Sequence, residues 1–343
     1  MCDFFSRSGT TARLRHDNMK PIALNGHERA ITQIRYNPEG DLLFSCAKDT
    51  HPTVWFALNG ERLGTYDGHT GAVWCLDVNW NTSKVLTGGG DNSSRLWDCE
   101  TGKCIIAFET QSAVRTCGFT YSGNTFFYST DKAMGHMCQI FLYDVRDHQQ
   151  MKDNEPYMKI PVTMPKVTSA IASGLEKYIL TGHEDGTLTK WEIETGEKVH
   201  SVQEHSRLIM DIQPSKTGKT VITASKDNTA KLFDAESLEF MKVYKTERPV
   251  NSAAISPNKD HVVLGGGQEA MDVTTTSSRI GKFDARFFHL IFEEEFGRVK
   301  GHFGPINSLA YSPDGSGYSS GGEDGYVRIH TFDPQFNDFE FEY

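Results

Sequence analysis

Residues 68–98 read GHTGAVWCLDVNWNTSKVLTGGGDNSSRLWD. His69, Thr87, Asp91 and Trp97 sit within this one short stretch. A histidine, a hydroxyl and a carboxylate are the parts of a nucleophilic triad. They are equally the parts of a buried hydrogen-bonded chain, in which each polar group satisfies the next. Recurrence decides between the two, because an enzyme needs the set once.

The stretch recurs. GHERAITQIRYNPEGDLLFSCAKDTHPTVW starts at Gly26, EHSRLIMDIQPSKTGKTVITASKDNTAKLFD at Glu204 and GHFGPINSLAYSPDGSGYSSGGEDGYVRIH at Gly301. From the histidine to the Trp position the spacing is constant: 55 − 27, 97 − 69, 233 − 205 and 330 − 302 all equal 28. Weaker copies ending at Trp191, Tyr143 and Phe283 fill the gaps, which makes seven units. Their Trp positions fall 42 to 50 residues apart (97 − 55 = 42, 283 − 233 = 50), near the period of a four-stranded propeller blade.

Within each unit the local signals are those of strands. AVWCLDV and SLAYS are short apolar runs, SRLWD and VRIH alternate, and NPEG and SPDG are turn tetrapeptides. No stretch has a sustained helical period. The expected fold is all-β, a seven-bladed propeller of four-stranded antiparallel blades. KPIALNG (20–26) precedes the first Gly-His as a fourth strand precedes the others. It is expected beside the strand ending at His330, closing the ring.

Composition limits the function. The formal charge is −10, with scattered positive residues, a poor footprint for nucleic acid and a better one for protein partners. No apolar run reaches the ~18 residues of a membrane helix. Seven cysteines, odd in number and without a C-x-x-C pair, read as reduced cytoplasmic thiols. Residues 1–18 are polar, outside the repeat register, and are expected to be a disordered extension to a single domain spanning 19–343.

Other apparent motifs are weaker. SKTGKT (215–220) lacks the first glycine of a phosphate loop, Gln213 standing there. GGG at 88–90 and 265–267 sits at strand ends, where close backbone packing is expected. FEEEF (292–296) reads as a solvated turn or outer strand. Two insertions separate second and third strands: DKAMGHMCQ (131–139), with only His136 and Cys138 as plausible metal ligands, and QEAMDVTTTSS (268–278). No cofactor or metal site is expected.

The Gly-His openings and Trp-Asp endings resemble the WD-repeat family. That resemblance implies a structural chain of histidine, hydroxyl, aspartate and tryptophan inside a blade. The matching sets are His27/Ser45/Asp49/Trp55 and His69/Thr87/Asp91/Trp97. Residues 263–336, with their GGGQEAMDVTTTS segment, and MKPIALNGHERAITQIRYNPEGD (19–41) resemble one branch of it, the subunit I family of eukaryotic translation initiation factor three. This implies a non-catalytic scaffold in a complex that brings messenger RNA to the small ribosomal subunit, with the B and G subunits as partners. Asp211 and Asp227 are expected on one narrow face, offering negative charge to a basic tail of the B subunit, Asp227 doubling as its blade's bonded aspartate. A signalling scaffold associated with receptor kinases is the alternative, and a hydrolase built on one solvent-open set is the enzymatic one.

Overall fold

A computed structural model describes residues 2–4, 21–133, 135–163, 165–173, 176–267, 283–333 and 336. The chain forms seven antiparallel sheets arranged as the blades of a propeller. The second blade shows the pattern: Val73–Val78 innermost, then Lys84–Gly89, Ser93–Asp98 and outermost Cys104–Glu109. Each innermost strand touches those of both neighbouring blades, and the last, Ile306–Tyr311, touches the first, Ile31–Tyr36. The ring is therefore closed.

One irregularity repeats in every blade. Pairing of the innermost strand slips after its first residue, as between Val73 and Cys75 or Ile306 and Ser308, and likewise in the other five. A bulge at a fixed place sharpens the local twist and lets seven sheets fan out around one axis. Glycine serves the same crowding. A Cβ on Gly88 would lie 2.4 Å from Val114 of the next blade, and one on Gly265 2.7 Å from Ile306, so both triple-glycine runs sit where blades meet most closely.

The core consists of apolar layers between blades. Phe44, Cys46, Val73, Leu76 and Trp97, for example, join the first blade to the second. Cys46, Cys75, Cys117 and Cys138 are buried free thiols, and burial raises the Cys46 thiol far above its usual range. SKTGKT covers the turn between the first two strands of the fifth blade, with Gly218 at φ +69°. His148–Lys152 forms a short helix, and among the described residues no helix is long and apolar enough to cross a membrane.

Closure follows the expected route. Ile22–Leu24 pairs antiparallel with Val327–Thr331, completing the seventh blade. Two expectations need correction. Cys2–Phe4, within the extension expected to be disordered, pairs with Glu295–Lys300 as a fifth strand of the sixth blade. An outermost strand leaves backbone groups unpaired on one side, and any extended segment can use them. Residues 1 and 5–20 lie outside the described residues.

The second correction concerns the sixth blade. Its third strand is Asp284–His289, and Phe288, opposite Val262, holds the place that Trp97 holds opposite Val85. Phe283, assigned from the sequence, precedes the strand. The insertion 268–278 lies outside the described residues; its extra length in the sequence lets KFD imitate a Trp-Asp ending. With Phe288 in place the next step becomes 330 − 288 = 42, the same as the second blade's. Cys138, read as part of an insertion, begins the third strand of the third blade and is buried, whereas His136 is exposed.

Candidate functional site

Where a blade has the chain with an opening histidine, its parts come from two strands and two connections, as with Thr87 and Trp97 on strands and His69 and Asp91 in the segments between them. In the second blade the Trp97 indole N–H donates to the Thr87 hydroxyl at 2.8 Å. Thr87 lies 2.7 Å from His69 Nε2, and His69 Nδ1 donates to Asp91 at 2.9 Å. The carboxylate must accept, so Nδ1 carries the proton and Nε2 of the neutral ring accepts from the hydroxyl. The first blade repeats this through Trp55, Ser45, His27 and Asp49 at 2.7, 2.7 and 2.8 Å.

Two further blades hold the same chain without the tryptophan. His205 bridges Thr223 and Asp227 at 2.7 and 2.8 Å, with Phe233 buried in the Trp position. His302 bridges Ser320 and Asp324 at 2.8 and 3.0 Å, and there His330 stacks on Tyr318 with ring centroids 4.6 Å apart.

The fourth blade makes its chain by another route, missed from the sequence. His183 comes from the second strand itself, its Nε2 3.0 Å from Thr181, while Nδ1 donates to the Pro165 carbonyl. Trp191 donates to Thr181 at 2.8 Å. The signal was visible as a histidine two residues beyond the hydroxyl. Side chains two apart share a face of a strand, so the ring can turn back to the hydroxyl position.

The electrostatics are those of a structural brace. Burial alone would raise the Asp91 carboxyl, but hydrogen bonds from His69 and the Thr70 amide outweigh it and hold it well below the usual carboxylate range. Asp227 is lowered in the same way, against burial, by His205 and Thr229. Ser45, Thr87, Thr223 and Ser320 are all 1% exposed or less. A hydrolase would need one set open to substrate and the rest closed, and all four hydroxyls are enclosed alike.

Asp211 requires a correction of place. It is the third residue of the fifth blade's innermost strand, Ile209–Pro214, and faces the axis rather than a rim. Its carboxylate accepts from Ser252 Oγ at 2.5 Å and Gln213 Nε2 at 2.8 Å, and Arg35 of the first blade stands 3.9 Å away. Gln213 also donates to the Leu309 carbonyl at 2.7 Å. The physical reason is register: the bulge after Ile209 turns Asp211 inward, where first, fifth, sixth and seventh blades share a polar network. Asp227 does lie in the turn between second and third strands, but His205, the Ser206 amide and Thr229 occupy it. Neither acid is a free charge.

Among the described residues no group of three or more histidine, cysteine, aspartate or glutamate side chains could hold a metal ion. His136 and Cys138 do not form a ligand pair, one being exposed and the other buried in its strand.

Comparison with known proteins gives the lineage. The family model described as EIF3I matches residues 19–342. The chain is 66% identical over 324 residues to the rat protein named eukaryotic translation initiation factor 3 subunit I, covering 94% of this chain and 100% of the relative. The human protein of the same name is 65% identical over the same span and coverage. That of Nematostella vectensis is 64% identical over 325 residues, 95% of this chain and 100% of its own length. With identity sustained through all seven blades, the chain belongs to the family of eukaryotic translation initiation factor 3 subunit I.

Proposed function

We propose that this propeller is a non-catalytic scaffold subunit of translation initiation factor 3 in the cytoplasm, holding the B and G subunits while messenger RNA is recruited to the small ribosomal subunit. The observation that supports it most is identity of about two thirds with initiation-factor subunits along the whole propeller. Fold alone would carry no function, since one fold serves many. The relatives named above are all initiation-factor subunits, which favours this reading over a signalling scaffold associated with receptor kinases.

The surface suits protein partners. The narrow face bearing the opening histidines carries Asp67, Glu184, Glu204 and Glu247, whose side chains are 45–66% exposed and stand beside His51, Lys166, Lys231 and Arg286 respectively. A rim of paired charges selects a partner's orientation more than it adds affinity. Asp211 and Asp227 enter this reading as supports: one ties blades together beneath that face, the other shapes its turn. On the opposite narrow face Trp80 and Tyr121, both more than half exposed, pack at a 42° tilt with ring centroids 4.7 Å apart. Aromatic anchors of this kind are enriched at interfaces.

Residues 19–343 serve as one domain in this reading, with 1–18 an appendage. The test is affinity purification of the tagged chain from eukaryotic cells, followed by capture with the carboxy-terminal tail of the B subunit. Recovery of other initiation factor 3 subunits, with direct retention by the tail, is expected. A folded chain recovered without them would overturn the reading.

A further inference from the structure

Among the described residues the sixth blade alone has a fifth strand. Cys2–Phe4 lies antiparallel to Glu295–Lys300, with Cys2 opposite Val299, Asp3 opposite Arg298 and Phe4 opposite Gly297. These residues are additional to the propeller. The family match starts at residue 19, and the rat relative is matched over its full length without them. Sixteen residues (20 − 4 = 16) stand between Phe4 and Pro21 in the sequence, so the segment stays tethered whether or not it sits on the edge.

The edge specifies what it takes. Arg298 stands opposite Arg286 in the neighbouring strand, and like charges directly opposite each other are unfavourable in a sheet. Glu295 serves both: its carboxylate accepts from Arg298 Nη2 at 3.1 Å and lies 3.8 Å from Arg286. Glu247, also 3.8 Å from Arg286, is 66% exposed, so solvent screens it. One partly buried acid thus stands between two guanidinium groups, and the register sets a second, Asp3, in the same row. The next row is Phe287, Gly297 and Phe4. Phe287 is buried, and Gly297 contributes no side chain. A bulky residue across from a strand glycine supplies the packing that the glycine cannot. An acid followed by a bulky apolar residue, on an antiparallel strand, therefore suits this edge.

Coverage is partial. Three pairs span 297–299 of a strand running from Glu295 to Lys300, half its length. The net gain from each hydrogen bond is of the same order as the entropy lost in ordering a residue, which holds so short a strand near balance. A longer extended segment, pairing along the whole strand, outcompetes it.

We propose that this edge is a strand-addition site and that residues 2–4 are its intramolecular plug. The plug yields to an extended segment of a partner protein that carries an acid opposite Arg298 and a bulky apolar residue opposite Gly297. Main-chain hydrogen bonds hold such a segment, and the two rows select it. The arriving segment must displace a tethered competitor; an edge covered two-thirds of the time weakens it about threefold. The site does not rest on the scaffold reading.

The probe is a fluorescently labelled peptide of residues 1–8, MCDFFSRS, which stands in for the partner's segment. It is titrated by anisotropy, under reducing conditions, into the full chain, the chain lacking residues 1–18, and the full chain carrying Cys2→Pro with Asp3→Pro. Backbone donors alternate sides along a strand, so two adjacent prolines remove one that faces Glu295–Lys300. The peptide should bind both opened forms at least about threefold more tightly than the full chain. At higher concentration it should still saturate the full chain by displacing the plug. An Asp3→Lys peptide should bind the opened edge about threefold or more weakly, and on Arg298→Glu the order of the two peptides should reverse. If Arg298→Glu does not fold, the two peptides on the opened edge still decide. No saturable binding to the opened forms, or equal affinity of the two peptides, would overturn the site. Equal affinity for plugged and opened forms, or no binding to the full chain at any concentration, would overturn the exchangeable plug. A full-chain dimer lost on deleting residues 1–18 would show strand exchange between copies and overturn the intramolecular plug. Loss of initiation-factor capture leaves these probe results unaffected, so the two readings fail separately.

Discussion

Ile22 lies opposite Ile329 in an antiparallel strand pair, although 329 − 22 = 307 residues separate them. Beside them Leu24 is buried against Val327 and Trp55 in the layer between seventh and first blades. The entropy of closing so long a loop grows only logarithmically with its length, and the added strand covers the edge of Val327–Thr331 that would otherwise be open. Ring closure thus concentrates in three residues.

Leu24→Asp should therefore lower stability by about 2–4 kcal/mol, since a buried methyl cluster would receive an unpaired carboxylate. The urea midpoint checks this, with size-exclusion chromatography to detect association through the freed edge. Deleting residues 1–18 should move the midpoint far less, because Cys2–Phe4 adds three pairs to an already four-stranded blade. A larger loss from the deletion than from Leu24→Asp would place the closure elsewhere.

Trp97→Phe should destabilise by roughly 1–3 kcal/mol, the cost of leaving the buried Thr87 hydroxyl short of a partner. Phe233→Leu removes packing only, so its cost should scale with the space left behind. A double-mutant cycle of Trp97→Phe with Thr87→Val measures the coupling. A coupling energy near zero would contradict the chain of donors traced through His69.

Asp211→Lys should lower the melting temperature, because it sets a cation near Arg35 and strips acceptors from Ser252 and Gln213. Asp211→Asn keeps an acceptor and should be milder. If folded Asp211→Lys protein melts like the parent but captures the B subunit poorly, the carboxylate acts at an interface rather than within the axial network.

Stability should fall as the solution is acidified from about pH 6.5, where free histidine titrates. Burial, together with His289 and Lys259, lowers His261 to about 4; burial, then His302 and Arg328, lowers His330 to about 3. A histidine with a depressed folded value contributes stability fully above the unfolded value of about 6.5, and loses it as pH falls toward the folded one. His330→Phe keeps a ring against Tyr318 and should flatten the melting temperature in this window. The lowered carboxylates of Asp91 and Asp227 lose their contribution only below about pH 3.9, a separate and more acid window. An unchanged slope in His330→Phe would assign the pH dependence to other groups.

Spacing along the chain determined much by itself. A 28-residue interval from histidine to the Trp position, with hydroxyl and aspartate between, can be met repeatedly only by a repeated four-stranded unit. Blade number, and the meeting of His27 with Ser45, Asp49 and Trp55 and of His69 with Thr87, Asp91 and Trp97, could therefore be read directly. Closure by residues 20–26 was readable too, because a missing fourth strand must come from somewhere. What tertiary structure alone decided lies where register or orientation is set by neighbours. Phe288 rather than Phe283 fills the Trp position because pairing with Val262, not resemblance to a motif, fixes the strand. Asp211 turns toward the axis because a bulge shifts its side, and its partners Ser252 and Arg35 are distant in sequence. His183 substitutes for an absent opening histidine because its ring can reach Thr181 from within the same strand. In the third blade Thr110, Tyr128 and Tyr143 stand in the histidine, hydroxyl and Trp positions, and only folding brings the two tyrosine hydroxyls to 3.2 Å.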